Sequence, residues 1–167
     1  SPFLQCVHCP PGGPLVAGGQ RAKLHVLEGR SVDASSQPEG YTVIGYVTLG
    51  TNDLSRAASF YDALLAEIGA GRFMESERLI AWAVSPDKPA LGVVTPYDGK
   101  APTVGNGVMI ALVVDSNSKV DALHRKAIEL GGADEGAPGP RGIPGFYAGY
   151  FRDLDGNKLN CYCWTQG

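Results

Sequence analysis

The sequence predicts an α+β protein built from two repeated units, each with a strand, a helix and then two or three further strands. Three observations support this: strand-like runs rich in β-branched and aromatic residues, two stretches with apolar residues at helical spacing, and a strand-turn-strand pattern near the C-terminus. Because one unit alone buries little apolar surface, we expect the two units to pair their sheets into one curved surface with the helices outside.

Length, composition and charge are those of an ordinary globular chain. The 167 residues suffice for one domain or for two small modules that share a core, and 44% are hydrophobic. A net charge of −3 gives no basic face for nucleic acid or an anionic membrane, and no apolar run reaches the length of a membrane span. The first residues lack a secretory pattern, so we expect a cytoplasmic protein.

Residues 1–40 differ from the rest of the chain. Proline and glycine interrupt them, and a short strand over residues 22–27 is the one regular element expected. Cys6 and Cys9 form a C-x-x-C pair, which would need two more ligands to complete a zinc site. The simpler interpretation is an unpaired motif in a mostly irregular N-terminal extension, and whether that extension packs on a partner is left open.

The first unit begins with a strand over residues 43–50. Asp53 and its two predecessors can cap the helix that follows, and Gly69 can end it. The apolar positions of this helix are Leu54, Ala57, Ala58, Tyr61, Leu64, Leu65 and Ile68. Strands are then expected over residues 78–84 and 90–95, with a third near residues 72–75.

The second unit repeats this order after a turn-rich linker. A strand over residues 108–114 is followed by a helix that begins near Ser116 and ends at Gly131-Gly132. The apolar positions expected to point inward are Val120, Leu123, Ala127 and Ile128. A loop is expected over residues 136–145. We assign residues 41–167 to one domain, with modules at about 43–96 and 107–164.

The last hairpin, residues 150–163, is the most informative stretch. Asp155-Gly156 lies between two apolar-aromatic runs and predicts a tight turn. Beyond the turn, side chains alternate between the two faces of the strand. Leu159, Cys161 and Cys163 are expected on the packed face, where thiols behave as small hydrophobes, and Asn160, Tyr162 and Trp164 on the other.

From about Val43 to Trp164 the chain resembles the vicinal oxygen chelate superfamily, which includes glyoxalase I, bleomycin-resistance proteins, fosfomycin-resistance enzymes and extradiol dioxygenases. The resemblance rests on the paired units and on residues 46–54, 59–61 and 151–157. It implies two tandem βαβββ modules that form a cup-shaped mixed sheet, with the site inside the cup. It also implies a homodimer, because relatives commonly form their cups beside or across a two-fold interface.

The resemblance also implies where a metal would be bound. Metal-dependent relatives carry His or another ligand on the first and fifth strands and Glu on the last, and these positions are Tyr46, Met109 and Asn160 here. Neither imidazole nor carboxylate is among them. Of the histidines, His8 and His25 lie in the N-terminal extension, and His124 lies on a helix expected outside the cup. We therefore expect no metal ion and no other cofactor.

Strand alternation places a mainly apolar wall with a few polar groups inside the expected cup, as is typical of a small-molecule pocket. Any one of these side chains could also serve only to fill a core. The candidate ligand-binding residues are Tyr46, Thr48, Met109, Asn160 and Tyr162, with Ile44 and Ala111 beside them and Trp82 and Tyr150 as further aromatic walls. Arg141 and Arg152 could contact an anion, although cations more often pair with neighbouring carboxylates.

Two classes of function follow. The first is a protein that sequesters an amphipathic or aromatic small molecule without metal, as bleomycin-resistance relatives do. The alternative is a lyase or dioxygenase-like enzyme with an atypical metal site, or with Tyr46 or Tyr162 in acid-base chemistry. A tyrosine with a pKa of about 10 acts as a base near neutrality only if that pKa falls by several units. No cation is expected at the alternating cup positions to lower it, so we favour binding.

Overall fold

A computed structural model describes residues 43–165 of the chain. The strand expected over residues 22–27 and the Cys6 and Cys9 pair lie outside this range. The described chain contains two modules, each with a helix and its own four-stranded mixed sheet. The predicted α+β architecture of two tandem modules is therefore confirmed.

The first module follows the predicted element order. Its elements are β1 (Tyr46–Gly50), α1 (Leu54–Leu65) with a short 3-10 turn (Ala66–Ile68), β2 (Gly71–Glu75), β3 (Leu79–Ala83) and β4 (Ala90–Val94). The strand order is β1-β4-β3-β2, with β1 parallel to β4 and the other pairs antiparallel. Asp53 caps α1, because its side chain accepts a hydrogen bond from the backbone N–H of Arg56. Gly69 ends the 3-10 turn in a left-handed conformation.

The second module repeats the arrangement of the first. Its elements are β5 (Ile110–Val113), α2 (Asn117–Glu129), β6 (Ala133–Pro140), β7 (Phe146–Arg152) and β8 (Lys158–Trp164). The strand order β5-β8-β7-β6, with β5 parallel to β8, is the counterpart of the first sheet. This correspondence is the structural form of the repeat seen in the sequence.

Two expectations for the second module are wrong. The loop expected over residues 136–145 is strand β6 as far as Pro140, because this glycine- and proline-rich segment pairs with β7 despite two register shifts. Ile128 is 36% exposed, whereas His124 is buried. The buried face of α2 carries Val120, Leu123, His124 and Ala127, and Ile128 lies about 100° further around the helix than Ala127.

The core lies between the helices and one face of each sheet. Val47 and Leu49 of β1 pack into it, and so do Leu159, Cys161 and Cys163 of β8. Both cysteines are fully buried, as the alternation predicted, and burial raises the pKa of the Cys161 thiol to about 11. The opposite face of each sheet is not covered by its own helix.

The two modules meet through their helices and through the turn between β7 and β8. Helix α1 contacts α2, and the amide of Asn157 in that turn donates hydrogen bonds to the carbonyl of Gly50 and to Asp153 Oδ2, at 3.0 and 2.8 Å. The turn is thereby held against the end of β1. No helix in residues 43–165 is long and apolar enough to cross a membrane.

Candidate functional site

The candidate ligand-binding residues lie mainly on the two sheet faces that the helices leave uncovered. We call the side of the first sheet that carries Tyr46 and Thr48 the first face, and the side of the second sheet that carries Asn160 and Tyr162 the second face. Backbone hydrogen bonds join the described strands into two separate sheets. Tyr46 is therefore on a different sheet from Asn160, and the two do not meet through strand pairing.

A pocket of about 190 Å³ lies on the first face beside Tyr46. All of its lining residues belong to the first module, and most of them are apolar. They are Gly45, Tyr46, Phe73, Met74, Leu79, Ala81, Pro86, Lys88 and Ala90. Such a surface suits the apolar part of a small molecule, with the ammonium group of Lys88 as a polar contact.

Asn160 lies in the centre of the second face. Its register partners are Ala111 on β5 and Tyr150 on β7, and Met109 precedes Ala111 by two residues. Asn160 is only 3% exposed, and its Oδ1 atom has no hydrogen-bond partner in the described chain. An unsatisfied buried acceptor costs about 1–3 kcal/mol. A donor that reached this oxygen, from a ligand or a water molecule, would satisfy it.

An aromatic cluster extends from Asn160 along the second face. The ring of Phe146 lies 5.4 Å from that of Tyr162 and 4.9 Å from that of Trp164, between ring centroids. Alternation along β8 places Tyr162 and Trp164 on the same side as Asn160, as the sequence predicted. The cluster offers apolar surface with ring edges and faces beside the unpaired amide oxygen.

Two cations lie near the Tyr150 ring, on the side of Asn160 that faces away from the aromatic cluster. The guanidinium carbon of Arg141 lies 5.0 Å from the ring centroid, and the Lys158 ammonium lies 5.7 Å from it. The expectation that no cation occupies the alternating positions is wrong. Lys158 lies two residues before Asn160 on β8 and so points to the same face, which strand alternation could have predicted. Arg141 is brought to Tyr150 by the hairpin between β6 and β7, which the sequence does not specify.

Three residues considered from the sequence have other roles. Trp82 is buried on the helix side of the first sheet, where its indole N–H donates to Asp62 Oδ1 at 2.7 Å, so it is not part of the first face. Arg152 pairs with Glu135 at 2.6 Å. His124 is buried under β7 with its Nε2 atom 3.2 Å from the carbonyl oxygen of Tyr150. Trp82 and His124 are therefore assigned to the core.

The residues present do not fit the metal ion of metal-dependent relatives. Tyr46 lies on a different sheet from Asn160, Met109 immediately precedes β5, and none of the three supplies an imidazole or a carboxylate. Between residues 43 and 165, no three His, Cys, Asp or Glu side chains are grouped closely enough to hold a metal ion. A family-type metal site is therefore not formed by these side chains.

Two βαβββ modules, each with a helix on one side of its sheet, define the class as the two-module vicinal oxygen chelate fold. The family model described as Glyoxalase/Bleomycin resistance protein/Dioxygenase superfamily matches residues 43–161. The chain belongs to this superfamily.

Solved structures agree with this assignment. A glyoxalase/bleomycin resistance protein from Albidiferax ferrireducens is 34% identical, with a TM-score of 0.68, over 74% of this chain and 100% of that one. A hypothetical protein from S. aureus is 27% identical, with a TM-score of 0.57, over 74% and 94% of the two chains. A fosfomycin resistance protein from Listeria monocytogenes, 17% identical over 75% and 95% with a TM-score of 0.56, shares the fold. Comparison with curated proteins gave no match.

Proposed function

We propose that this protein binds and sequesters an amphipathic small molecule on its open sheet faces, without a resident metal ion. The observation that carries the proposal is the buried, unpartnered Oδ1 of Asn160 beside the aromatic cluster. A ligand with an N–H or O–H group would satisfy this acceptor, and its apolar part would rest on the aromatic rings.

The side chains at the family's ligand positions support binding over metal-assisted catalysis. Asn160 is a neutral amide where metal-dependent relatives have a carboxylate, and Tyr46 and Met109 are poor ligands for the ions those relatives use. The lyase or dioxygenase-like alternative would require ligands other than these three residues.

We further propose a homodimer in which the first face of one protomer lies opposite the second face of its partner. Both faces expose apolar side chains: Tyr46 is 64% exposed, Val113 66% and Trp164 55%. A second copy would cover these residues and place the pocket beside Tyr46 across from Asn160. The cup would then take residues from both protomers.

The free thiols of Cys161 and Cys163 suit the cytoplasmic location expected from the sequence.

The metal-free part of the proposal is tested by elemental analysis of purified protein, with Asn160→Ala as the companion variant. We expect no stoichiometric Ni, Zn, Mn or Fe in either protein. About one ion per subunit in the wild type, lost in Asn160→Ala, would overturn the metal-free assignment and favour the enzymatic alternative.

The binding part is tested with Asn160→Leu, which removes the amide at similar volume, and with Asn106→Leu in the exposed linker as the matched control. Calorimetry with a panel of aromatic amines and phenols should detect at least one ligand for the wild type. We expect Asn160→Leu to weaken that ligand's binding about tenfold, whereas Asn106→Leu should leave it unchanged. Equal affinity in all three proteins would contradict a role for Asn160.

A further inference from the structure

We propose that the ligand of the second face is an aromatic anion, whose negatively charged group lies beside Arg141 and Lys158. This inference rests on the proposed binding function and specifies the chemical class of the ligand. It is drawn from the arrangement of charges around Tyr150.

Arg141 is fixed in place by backbone groups rather than by a carboxylate. Its Nε donates to the carbonyl of Ala148 at 3.1 Å, and its Nη2 donates to the carbonyls of Gly136, at 3.2 Å, and Ala137. In residues 43–165, no carboxylate lies within 4.0 Å of its guanidinium nitrogens. Neutral carbonyls orient the guanidinium without cancelling its charge, and Nη1 takes no part in these three bonds.

The charge of Lys158 is only partly compensated. Its ammonium lies 3.3 Å from Glu135 Oε2, and the other oxygen of the same carboxylate accepts from Arg152 at 2.6 Å. One carboxylate therefore serves two cations. Asp134 also lies near Arg141. Three cations, Arg141, Arg152 and Lys158, therefore face two carboxylates, Asp134 and Glu135. This end of the second face is positive although the chain carries a net charge of −3.

The positive end, the unpaired amide oxygen and the aromatic cluster follow one another along β8. Lys158, Asn160 and Tyr162 occupy alternate positions on the same side of the strand. Four residues of extended chain span roughly 13 Å, which is about the length of a substituted bicyclic aromatic molecule. One molecule can therefore place an anion at Lys158, a donor at Asn160 and an aromatic ring at Tyr162.

Arg141 and Lys158 also explain why a neutral aromatic ligand is the weaker candidate. Both side chains already lie over the Tyr150 ring, so their charges sit at the edge of the aromatic surface and not in open solvent. An anionic group placed there gains charge-assisted hydrogen bonds, which are stronger than neutral ones. A neutral group at the same place does not.

The test compares two aromatic amine probes that differ only in the presence of a sulfonate group. Anilinonaphthalene sulfonate, in the isomer with amine and sulfonate at opposite ends of the naphthalene, has an aromatic body, an N–H donor and an anion. Phenylnaphthylamine has the same rings and the same N–H but no sulfonate. We expect the sulfonate probe to bind wild-type protein about tenfold more tightly, and its affinity to fall with added salt.

Arg141→Gln and Lys158→Gln should each weaken the sulfonate probe about fivefold and leave phenylnaphthylamine within about twofold. Arg125→Gln, on the exposed side of α2, makes the same change in net charge and should alter neither probe. Because Arg141 also holds backbone carbonyls, its variant can lose structure. Lys158→Gln and the salt dependence then decide the matter.

The outcomes separate this inference from the proposed function. If both probes bind equally, neither charge substitution matters and Asn160→Leu weakens both, the anion preference is overturned while binding at the second face stands. If neither probe binds, or if Asn160→Leu leaves the affinity for both probes unchanged, both the anion preference and the proposed binding at the second face fail. A charge preference lost in Lys158→Gln but kept in Arg125→Gln supports the inference.

Discussion

The hydroxyl of Tyr61 donates a hydrogen bond to Asp153 Oδ2 at 2.8 Å, across the buried boundary between the two modules. Tyr61 belongs to α1, and Asp153 begins the turn between β7 and β8. Burial and the charge of Asp153 raise the pKa of Tyr61 well above its usual value. The phenol therefore stays protonated and donates to the carboxylate that organises the turn.

Tyr61→Phe should destabilise the fold by about 1.5–3 kcal/mol, because it removes a hydrogen bond to a charged group and leaves the ring in place. Urea unfolding of the variant measures this loss. Tyr97→Phe is the matched control, since Tyr97 is almost fully exposed. The same midpoint for Tyr61→Phe and Tyr97→Phe would show that the bond between Tyr61 and Asp153 adds nothing to stability.

Asp155 should make stability depend on pH in the acid range. Burial alone would raise the pKa of its carboxyl, but hydrogen bonds from Thr51 and the Asn52 backbone and the charge of Arg56 lower it overall. A carboxylate with a lowered folded pKa stabilises the protein above its unfolded pKa of about 3.9, and this stabilisation is lost as pH falls through the folded value.

The stability difference between the wild type and Asp155→Asn should therefore be largest near neutral pH and shrink below about pH 4. Urea unfolding at a series of pH values measures it. Asp98→Asn, in the exposed linker, is the control. A difference that stays constant from neutral pH to about pH 2.5 would argue against the assigned role of the Asp155 charge.

Much of the fold could be predicted because the helices and most strands carry clear periods. Strand β6 was missed because Gly136, Pro138 and Gly139 hide the alternation of a strand whose pairing is itself irregular. Trp82 was placed wrongly because every residue of β3 is apolar, so the pattern does not tell the two faces apart.

On the second face, the candidate site was predictable only along β8. Alternation along β8 correctly grouped Asn160 with Tyr162, and it places Lys158 on the same side of the strand. The position of Arg141 depends on a hairpin with register shifts, which no local pattern specifies. The absence of a partner for Asn160 Oδ1 is likewise a property of the packed structure and not of the residue type.

The proposed dimer should dissociate when charge is placed on an open sheet face. Val113→Asp would bury an unpaired carboxylate in the proposed interface, so we expect light scattering to report a dimer for the wild type and a monomer for this variant. Ile128→Asp introduces the same charge on α2 and should remain dimeric. A monomeric wild type at micromolar concentration would contradict the proposed assembly.

Asn160 Oδ1 should accept a hydrogen bond from a bound small molecule if the proposed function is correct. A crystal structure of the protein with anilinonaphthalene sulfonate tests it most directly. We predict the probe on the second face with its amine nitrogen about 2.7–3.2 Å from Asn160 Oδ1, to which the N–H donates. A second face without the probe, or a metal ion coordinated by Asn160, would contradict the claim.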